Sequence, residues 1–557
     1  MSNRMASSSR GMALACFLSA VASAAHAQTS PIDQDIIEQR QRSLLDDARR
    51  QRESLQRSIE INPEATPMEA PEGAPCFTIQ RFEWRGVDHL PESRRREWSD
   101  PLQGQCLSVA QMLELARVAS NEYIAQGFVT SRVIVPEQDV SDGALELLAQ
   151  EGRIEAISLD GERSANLAAL FPGLVGAVLN LRDIEQGMEQ INRLPSQQVT
   201  IDIQPGTRPG HSIIELHRVE RRKPGRLDLG MDNSGQESTG ETQAWIGLAL
   251  DAPLGWFDQW TLDAGHDTDL ATSRRSRNVS LGTSLPYGYW TFGYGYAWND
   301  YFQDIHLGQG NWRYRGVSQS HRVQLGRVLY RDGRQKLGIS AALSRRDTKT
   351  SLAGQRLEVS SPTLTTLSLG MSYATTWAGG YLTLSPGVSQ GIDALGATGA
   401  RQPGMPSVTA RKATLSASFF RPLAPRLDYF TSLYGQATAD DLYPSERIAI
   451  GGEYSVRGFK AQYLTGNRGA YWRHQLDWTA QPLPVLGVPT FTLAMDGGWI
   501  ERETERGEGG SLLGTAVSLS LHGTRLRQSL TLGKPLMHPH GMAVDPWVSY
   551  WQLALRL

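Results

Sequence analysis

The larger, C-terminal part of the chain is a long succession of segments in which apolar residues alternate with small or polar ones. Between Leu367 and Tyr373 every odd position is apolar or aromatic and every even position is Ser or Gly, and Val517 to Leu521 repeats this arrangement. Successive side chains of a β-strand point to opposite faces, so each segment has one apolar and one polar face. Such strands suit lipid on one side and a water-filled lumen on the other. The alternation therefore predicts a transmembrane β-barrel over residues 225–557.

Composition excludes two other classes of protein. The chain contains no run of the roughly 18 or more apolar residues that a membrane-spanning helix needs, which excludes a helical membrane bundle. The formal net charge is −3 and charged residues make up 20%, which is not typical of a nucleic-acid-binding protein. At 557 residues the chain is too long for one ordinary domain, so further domains are expected before the barrel.

The alternating segments number sixteen and predict sixteen antiparallel strands. An even number of strands places both ends of a barrel on the same side of the membrane, where the N-terminal part of the chain must then lie. The segments begin near residues 226, 241, 257, 276, 289, 318, 335, 364, 380, 410, 425, 468, 489, 512, 525 and 546.

The connections between these segments provide an independent test of the barrel. Those that follow even-numbered segments are short and turn-like, such as 251–255 and 286–288. Short periplasmic turns that alternate with long outer loops are typical of outer-membrane barrels, whereas the alternative, a soluble β-sandwich, does not predict this alternation. The connections after odd-numbered segments are longer and polar, and they include 301–317, 391–408, 438–467 and 501–511.

Residues 1–27 form a predicted signal peptide. Arg4 and Arg10 supply a basic start, a short apolar stretch follows, and Ala25-His-Ala27 fits a cleavage site that leaves Gln28 as the mature N terminus. A membrane anchor is the alternative, but it would need a longer apolar span. The chain is therefore expected to be exported.

Residues 28–58 form a predicted helix that carries charges on nearly every face. A helix that is polar all round must lie in water or in a polar cavity. On periodicity alone, a solvated and partly disordered arm is the favoured interpretation. The prolines of residues 59–75 then indicate a semi-rigid, extended linker.

Residues 76–224 contain an internal repeat of small α/β modules. Ile79–Gly86 matches Ile154–Gly161 at an offset of 75 residues, and each copy is read as a strand that ends at a Gly turn. Helices and two further strands follow in each copy, which predicts a first module over 76–152 and a second over 153–224. A single two-layer α/β domain with coincidental repetition is the alternative.

The long helix of the first module begins at a recognisable signal. Ser108 and Gln111 have the spacing of a capping box, and Gly127 suits the end of the helix. The residues that follow helical spacing are Val109, Leu113, Ala116, Ser120 and Tyr123.

Two cysteines, Cys76 and Cys106, remain after the signal peptide is removed. An exported chain meets an oxidising compartment, so a disulfide between them is expected, and two cysteines are too few for a zinc site. His538-Pro-His540 falls in the last outer loop, where a solvated loop is favoured over a metal site. No nucleophile elbow, Walker loop or HExxH motif occurs, so neither catalysis nor a cofactor is predicted.

Two motifs in the barrel carry a resemblance to a known family. The segment Val456-Arg457-Gly458-Phe459, in the loop after the eleventh strand, resembles the VRGF/Y motif of the superfamily of two-partner secretion transporters (TpsB proteins) and BamA insertases. Leu229 to Gly235 also resembles the start of a TpsB barrel. The chain departs from the family at its last residue, Leu557, where such barrels commonly end in an aromatic residue.

The resemblance implies a function and a set of partners. The chain would recognise an unfolded exoprotein in the periplasm and carry it through the barrel to the cell surface, and within the family it looks closest to transporters of filamentous adhesins, haemolysins and contact-dependent-inhibition toxins. The two modules would be periplasmic POTRA domains, and the polar helix would be a plug that rests in the lumen of an outer-membrane barrel. The partners would be a large, secreted, β-rich exoprotein of the TpsA type, the lipid of the outer membrane, and the barrel assembly machinery during insertion; no nucleic acid or cofactor is expected. Two alternatives are an outer-membrane assembly factor of the BamA type and a passive porin or adhesin, for which two periplasmic modules would have no purpose.

The resemblance also assigns a position to Arg457, because the superfamily motif folds its loop back into the barrel. In the thirteenth strand Phe491, Leu493 and Met495 are large and apolar, so parity turns Asp496 toward the lumen. A guanidinium and a carboxylate in a confined lumen should pair, and the fork geometry favours Arg over Lys. We therefore expect an ion pair between Arg457 and Asp496.

Overall fold

A computed structural model describes the chain from residue 30 onward, with short gaps. The predicted signal peptide, residues 1–27, lies outside the described residues, as does most of the predicted linker. The described ranges are 30–59, 75–220, 222–269, 271–307, 310–398, 406–484, 486–502 and 509–557.

The first element is helix α1, Pro31–Gln56. Ser30 caps its N terminus by accepting a hydrogen bond from the backbone N of Asp33, and Pro31 occupies the first turn, where no backbone N–H is needed. None of the described helices is long and apolar enough to cross a membrane.

The first module has a three-stranded sheet in the order β2-β5-β4 and a separate pair, β1 and β3. The strand predicted over Ile79–Gly86 is shorter than expected, because β2 begins only at Arg81. Ile79 donates its backbone N–H to Gln105, whereas Gln80 donates to Gly143, so the chain changes partner between the two sheets at this point. The elements are β1 Cys76–Thr78, β2 Arg81–Arg85, α2 Glu92–Ser99, β3 Cys106–Ser108, α3 Val109–Ala125, β4 Arg132–Ile134 and β5 Ala144–Gln150.

Helix α3 begins with the predicted capping box, because Ser108 and Gln111 bond each other's backbone N–H groups. Not all of the residues with helical spacing are buried, since Val109 is 55% and Leu113 is 38% exposed. The helix instead packs through a stripe displaced by one position. Apolar residues form two adjoining stripes on this helix, and packing against the sheet, rather than spacing, selects between them. The buried residues are Met112, Leu115, Ala116, Ala119, Ser120 and Tyr123.

The second module repeats the topology of the first. Its sheet has the order β6-β8-β7, with β6 parallel to β8 just as β2 is parallel to β5, which confirms the predicted repeat. Its core includes Ile184, Ile191 and Leu194. The elements are β6 Arg153–Leu159, α4 Ala165–Ala168, α5 Leu181–Asn192, β7 Val199–Pro205 and β8 His211–Arg218.

Sixteen antiparallel strands then form a closed barrel, which confirms the predicted fold class. The first strand pairs with the last, with Asp232 opposite Gln552. A short strand, β16 (Gln355–Arg356), extends one hairpin. The barrel strands are β9 Gly225–Asp232, β10 Gln243–Asp251, β11 Gln259–Asp267, β12 Arg274–Tyr287, β13 Trp290–Leu307, β14 Gly310–Arg331, β15 Gln335–Leu352, β17 Thr363–Trp377, β18 Gly380–Gly391, β19 Arg411–Ala424, β20 Leu427–Ala437, β23 Gly469–Thr479, β24 Val488–Ile500, β25 Gly510–His522, β26 Leu526–Met537 and β27 Val548–Arg556. The loop between β20 and β23 carries a small hairpin, β21 Ile448–Ile450 and β22 Leu464–Gly466.

Side chains alternate along the strands as predicted, with apolar residues on the outer face of the barrel and polar residues on the inner face. Leu367, Leu369 and Met371 on β17 are all exposed on the outer surface of the barrel. On β24 Leu493 is exposed, whereas Asp496 is fully buried on the inner face. A barrel with an apolar outer face and a polar inner face fits a membrane.

The short turns lie on the side of the barrel that carries the second module. Asn166 of this module donates to the backbone O of Gly255, and Ala169 O accepts from the backbone N of Gly288, so two of these turns contact it directly. The prediction of a long loop over 301–317 is wrong, because β13 and β14 continue through this segment as a projecting hairpin. Its charged residues suggest a loop, but they form cross-strand pairs such as Asp304 with Arg313.

Candidate functional site in the barrel lumen

The loop of residues 438–467 folds back into the barrel, where its apolar side chains meet those of the wall. Leu44 of helix α1 also packs against this cluster, so the loop lies between the wall and the helix. The buried cluster comprises Ile448, Ile450, Val456, Phe459 and Leu464 from the loop and Tyr434, Tyr471, Ile500 and Leu512 from the strands.

Arg457 and Asp496 make a two-pronged ion pair at the tip of this loop. Arg457 donates from Nε to Asp496 Oδ2 at 2.5 Å and from Nη2 to Oδ1 at 2.7 Å, and its backbone N donates to Oδ2 at 3.1 Å. The two side chains are 6% and 0% exposed. Arg457 also donates to Gln475 Oε1 and to the backbone O of His474. The structure thus brings together the two charged residues that parity and the family motif single out.

The glycine of the motif allows the loop to approach the backbone of the wall. Gly458 has φ +108°, and a Cβ at this position would lie 2.6 Å from the backbone O of Lys534. Opposite the loop, a Cβ on Gly514 would lie 1.8 Å from the backbone O of Arg457, and one on Gly533 would lie 2.8 Å from the backbone N of Gly458. Glycine in a strand marks places where another backbone comes close, so Gly514 and Gly533 form a seat for the motif that sequence reasoning missed.

Two further wall residues complete this region. The Tyr550 hydroxyl donates to the backbone O of Phe459 at 2.7 Å, which holds the motif from the last strand. Arg473 lies directly opposite Asp496 in the strand register and is 7% exposed. Its Nε and Nη1 are buried and have no hydrogen-bond partner among the described residues. Neither residue follows a recognisable motif, and the polar inner positions of many strands look alike in sequence.

A second ion cluster joins the loop, the wall and helix α1. The carboxylate of Glu446, in the loop, accepts hydrogen bonds from two wall residues, Lys412 Nζ at 2.6 Å and Arg346 Nη1 at 2.8 Å. It also lies 3.6 Å from Arg40 Nη2 of the helix. Gln41 Nε2 of the helix also donates to the backbone O of Ala449 at 2.8 Å. These contacts could not be predicted from the sequence, because they depend on where the loop and the helix meet.

Helix α1 therefore lies inside the lumen. Near its start Ile36 packs against Tyr301 on the inner face of β13, and near its end Gln51 Nε2 lies 3.4 Å from Ser385 Oγ on β18. A cavity of about 640 Å³ remains between the helix and strands β14–β19, so the helix does not fill the barrel. The interpretation favoured by periodicity alone, a solvated arm, does not describe this position.

The periplasmic mouth of the barrel holds the end of helix α1 through Glu189 of the second module. The carboxylate of Glu189 accepts a hydrogen bond from Ser54 Oγ of the helix at 2.7 Å and one from Arg331 Nη1 of the wall at 2.6 Å. It also forms an ion pair with Lys336. Burial alone would raise the pKa of Glu189, but the adjacent Lys336 and Arg331 outweigh it and lower this pKa to about 2. The carboxylate is therefore ionised at any periplasmic pH and connects module, helix and barrel.

The two cysteines lie in the first module and not in the barrel. Cys76 and Cys106 are joined by a disulfide with a Cα–Cα distance of 5.3 Å. The bond connects β1 to β3, the strand that leads directly into helix α3.

Three family models match the chain. The model described as haemolysin secretion/activation protein ShlB/FhaC/HecB matches residues 210–521. A POTRA domain model matches residues 153–205, and a ShlB-type POTRA domain model matches residues 77–152.

Individual proteins match over nearly the whole chain. The outer membrane transporter CdiB of Dickeya dadantii is 39% identical over 549 residues, which cover 97% of this chain and 98% of that protein. The hemolysin transporter protein ShlB of Serratia marcescens is 31% identical, covering 91% and 90% of the two chains. The solved structure of CdiB from Escherichia coli has a TM-score of 0.91 at 38% identity, covering 96% of this chain and 100% of that one.

Proposed function

The chain belongs to the family of haemolysin secretion/activation proteins ShlB/FhaC/HecB, and from this premise we propose how it carries its exoprotein to the cell surface. It is an outer-membrane transporter of two-partner secretion, with its POTRA domains in the periplasm. The transporters of this type serve large exoproteins. The chain is 39% identical to CdiB of Dickeya dadantii but 31% identical to ShlB of Serratia marcescens. This difference favours a contact-dependent-inhibition toxin, rather than a haemolysin or an adhesin, as the transported exoprotein, called the client below.

The observation that carries the proposal is the position of helix α1 in the lumen. The helix blocks the path of a polypeptide, and it contacts the second POTRA domain at its end through Ser54 and Glu189. A client that displaces this contact frees the end of the helix. Helix α1 is therefore a plug that occupies the resting pore and leaves it during transport.

The POTRA domains recognise the client as an extended chain. Each sheet has only three strands, so β2 and β4 in the first and β6 and β7 in the second lie at sheet edges. An unfolded polypeptide can add a strand to such an edge through backbone hydrogen bonds. Recognition of this kind needs little sequence specificity, which suits a long, repetitive exoprotein.

Transport through the barrel does not require nucleotide hydrolysis. The sequence contains no Walker motif. The client passes through the pore unfolded and folds outside, and folding at the surface prevents its return. The pair of Arg457 and Asp496 keeps the loop of residues 438–467 against the wall while the plug leaves, so that the loop shapes the open pore.

Co-expression with a candidate exoprotein tests the proposal. Surface release of that exoprotein should depend on the transporter and should be lost when residues 76–224 are deleted from it. An assembly factor of the BamA type is the alternative function, because its superfamily shares the VRGF/Y motif. Under that alternative, loss of this chain would instead reduce the amounts of many outer-membrane barrels and leave the exoprotein route intact. This second result would refute the proposal.

A further inference from the structure

The outer wall of the barrel carries a dense group of charges on strands β12, β13 and β14. The group, called the arginine patch here, consists of Arg275, Arg277, Arg313, Arg315, Asp300 and Asp304. Four guanidinium groups against two carboxylates leave a net charge of +2. A lipid-facing surface is normally apolar, so charges at this place need an explanation.

The register of the strands shows that the arginine patch faces outward. On β13 the even-numbered Phe292 and Tyr294 are exposed to the lipid side, whereas the odd-numbered Tyr301 packs against helix α1 in the lumen. Asp300 is also even-numbered, so its side chain lies on the same outward face as those of Phe292 and Tyr294. Arg277 lies directly opposite Asp300, and the pairing of Phe302 with Arg275 and Arg315 places those arginines on the same face.

The arginine patch lies at the outer interface of the membrane. Asp300 follows Trp290, at the periplasmic end of β13, by ten residues. Ten residues extend about 33 Å along a strand, or about 25 Å along the membrane normal at a tilt of about 40°. An outer-membrane barrel has an apolar band of about 25 Å. The arginine patch therefore begins where the acyl chains end and the headgroups of the outer leaflet begin.

One buried carboxylate orients three of the arginines. The side chain of Asp300 is fully buried, and its carboxylate accepts three hydrogen bonds. The donors are Arg275 Nη2 at 3.1 Å, Arg277 Nε at 2.8 Å and Arg315 Nε at 2.8 Å. None of the three makes another hydrogen bond to a described residue, so most of their N–H groups have no acceptor. Their side chains are 33%, 38% and 47% exposed, so these groups, except the buried Nε of Arg275, are accessible from the membrane.

Three of the four arginines stack their guanidinium groups on aromatic rings of strand β13. The guanidinium of Arg277 lies 4.9 Å from the ring centre of Trp298, and those of Arg275 and Arg313 lie 4.9 and 4.2 Å from that of Phe302. Stacking on a ring fixes the plane of a guanidinium and directs its N–H groups sideways and outward. The arginine patch is thus an ordered arrangement of donors rather than a set of solvated side chains.

Among the described residues of the opposite wall no such arrangement occurs. There the outward side chains near the outer end of β23 and β24 are Trp472 and Trp499, both about half exposed. An aromatic girdle is what a barrel needs to anchor itself at this interface. The arginine patch is therefore not a general consequence of membrane insertion, and it calls for a specific anionic group.

We propose that the arginine patch is a binding site for a phosphorylated glycolipid of the outer leaflet, with the phosphates on the arginines and the acyl chains along the apolar surface of β12–β15. Arginine binds phosphate through paired, charge-assisted hydrogen bonds, and basic sites beside membrane-spanning segments hold lipid headgroups. The two requirements, free guanidinium N–H groups and adjoining apolar wall, are met at the same place. Phe292 and Val323, both exposed, belong to this wall.

The site can be tested by titrating the purified full-length transporter with diphosphorylated lipid A and counting bound lipid by native mass spectrometry in the presence of EDTA. The triple variant Asp300→Asn, Arg277→Gln, Arg315→Gln removes two guanidiniums together with the carboxylate that they neutralise. We expect it to bind the diphosphorylated lipid at least about tenfold more weakly, while fully dephosphorylated lipid binds both proteins equally. Inorganic phosphate at the same concentrations should not compete, because it lacks the acyl chains.

Two further variants keep the test decisive. Arg468, an exposed arginine paired with Glu501 on the other side of the barrel, serves as the matched control, and Arg468→Gln should bind lipid as the parent does. Arg313→Gln removes one exposed guanidinium and should cause a smaller loss of lipid binding even if the triple variant fails to fold. The proposal is overturned if the folded triple variant, or Arg313→Gln in its absence, binds diphosphorylated lipid as tightly as the parent. It is equally overturned if inorganic phosphate displaces the lipid.

Discussion

Two segments occupy the lumen of the barrel, the loop of residues 438–467 and helix α1, and different kinds of contact hold them there. The loop contributes fully buried apolar side chains such as Val456 and Phe459, and its tip is fixed by the buried pair of Arg457 with Asp496. Helix α1 also buries apolar side chains, among them Ile37 and Leu55, but its ion pair with the loop, Arg40 with Glu446, is partly exposed. Its other contacts are hydrogen bonds, for example from Gln41 to the loop and from Ser54 to the second POTRA domain.

The difference indicates which segment is able to leave. Hydrogen bonds next to a wet lumen can be exchanged for hydrogen bonds to water at little net cost. Buried apolar surface and a buried ion pair cannot be exchanged in this way. We therefore propose that the loop is a fixed part of the wall and that the helix is a removable plug.

Breaking the ion pair should have the largest effect. Arg457→Ala or Asp496→Ala leaves a buried charge without its partner, which costs about 3–5 kcal/mol. We expect surface release of the exoprotein to fall by about tenfold or more while the barrel still assembles, as judged by heat-modifiable gel mobility. Arg468→Ala, at the exposed end of the same loop, should secrete normally.

The double variant decides whether the two residues act as a pair. Once one partner is absent, removal of the other charge should cost little more, so the double variant should secrete about as well as either single variant. If the two losses multiply, the residues act independently and the assignment is wrong.

The next largest effect is expected where the loop rests on the wall. In Gly514→Ala the new Cβ would lie 1.8 Å from the backbone O of Arg457, so the loop must move. Overpacking of this kind costs about 1–3 kcal/mol, and secretion should fall severalfold. Gly497→Ala is the matched control, because its Cβ would make only an ordinary contact of 3.6 Å with Leu513. Equal secretion by the two variants would show that the loop does not need this seat.

Deletion of residues 31–58 should change the pore without unfolding the barrel. The deletion removes a helix about 10 Å wide from the lumen but no strand of the barrel. Single-channel conductance in planar bilayers should rise severalfold, and the barrel should keep its heat-modifiable mobility. Unchanged conductance would mean that the helix does not rest in the lumen, and the segment would then be a solvated arm.

Loosening the plug at one contact should have a smaller effect. Arg40→Gln removes the partly exposed contact with Glu446, and such pairs contribute about 1 kcal/mol or less. We expect channel openings to become more frequent by no more than about fivefold. Arg49→Gln, which removes an exposed pair within the helix itself, should leave the opening frequency unchanged. A larger change in the control than in Arg40→Gln would contradict the role of the contact with the loop.

The disulfide should affect the transport pathway least. Titration of the folded, unreduced protein should detect no free thiol, and Cys76→Ser with Cys106→Ser should destabilise the first POTRA domain by about 2–4 kcal/mol. Barrel conductance should not change, because the disulfide lies outside the lumen. Two reactive thiols in the folded protein would refute the disulfide.

Periodicity predicted the parts of the molecule whose environment repeats along the chain. Lipid faces every second residue of each strand, so the strands and the inward orientation of Asp496 could be inferred. The lumenal contacts could not, because Glu446, Gly514 and Tyr550 meet the loop or the helix only through the closure of the barrel. The segment 301–317 was misread for a related reason, since the charged residues that suggest a loop pair across an extended hairpin.

The most direct test of the distinction between plug and fixed loop is to tether each of them by a reversible crosslink. Gln51→Cys with Ser385→Cys would join helix α1 to the wall, and Gln462→Cys with Asp545→Cys would join the loop to the connection between β26 and β27. After treatment with a short, reducible thiol crosslinker, the helix tether should abolish surface release of the exoprotein, and reductant should restore it. The loop tether should leave release unchanged. Normal secretion with the helix tethered, or a block with the loop tethered, would contradict the account.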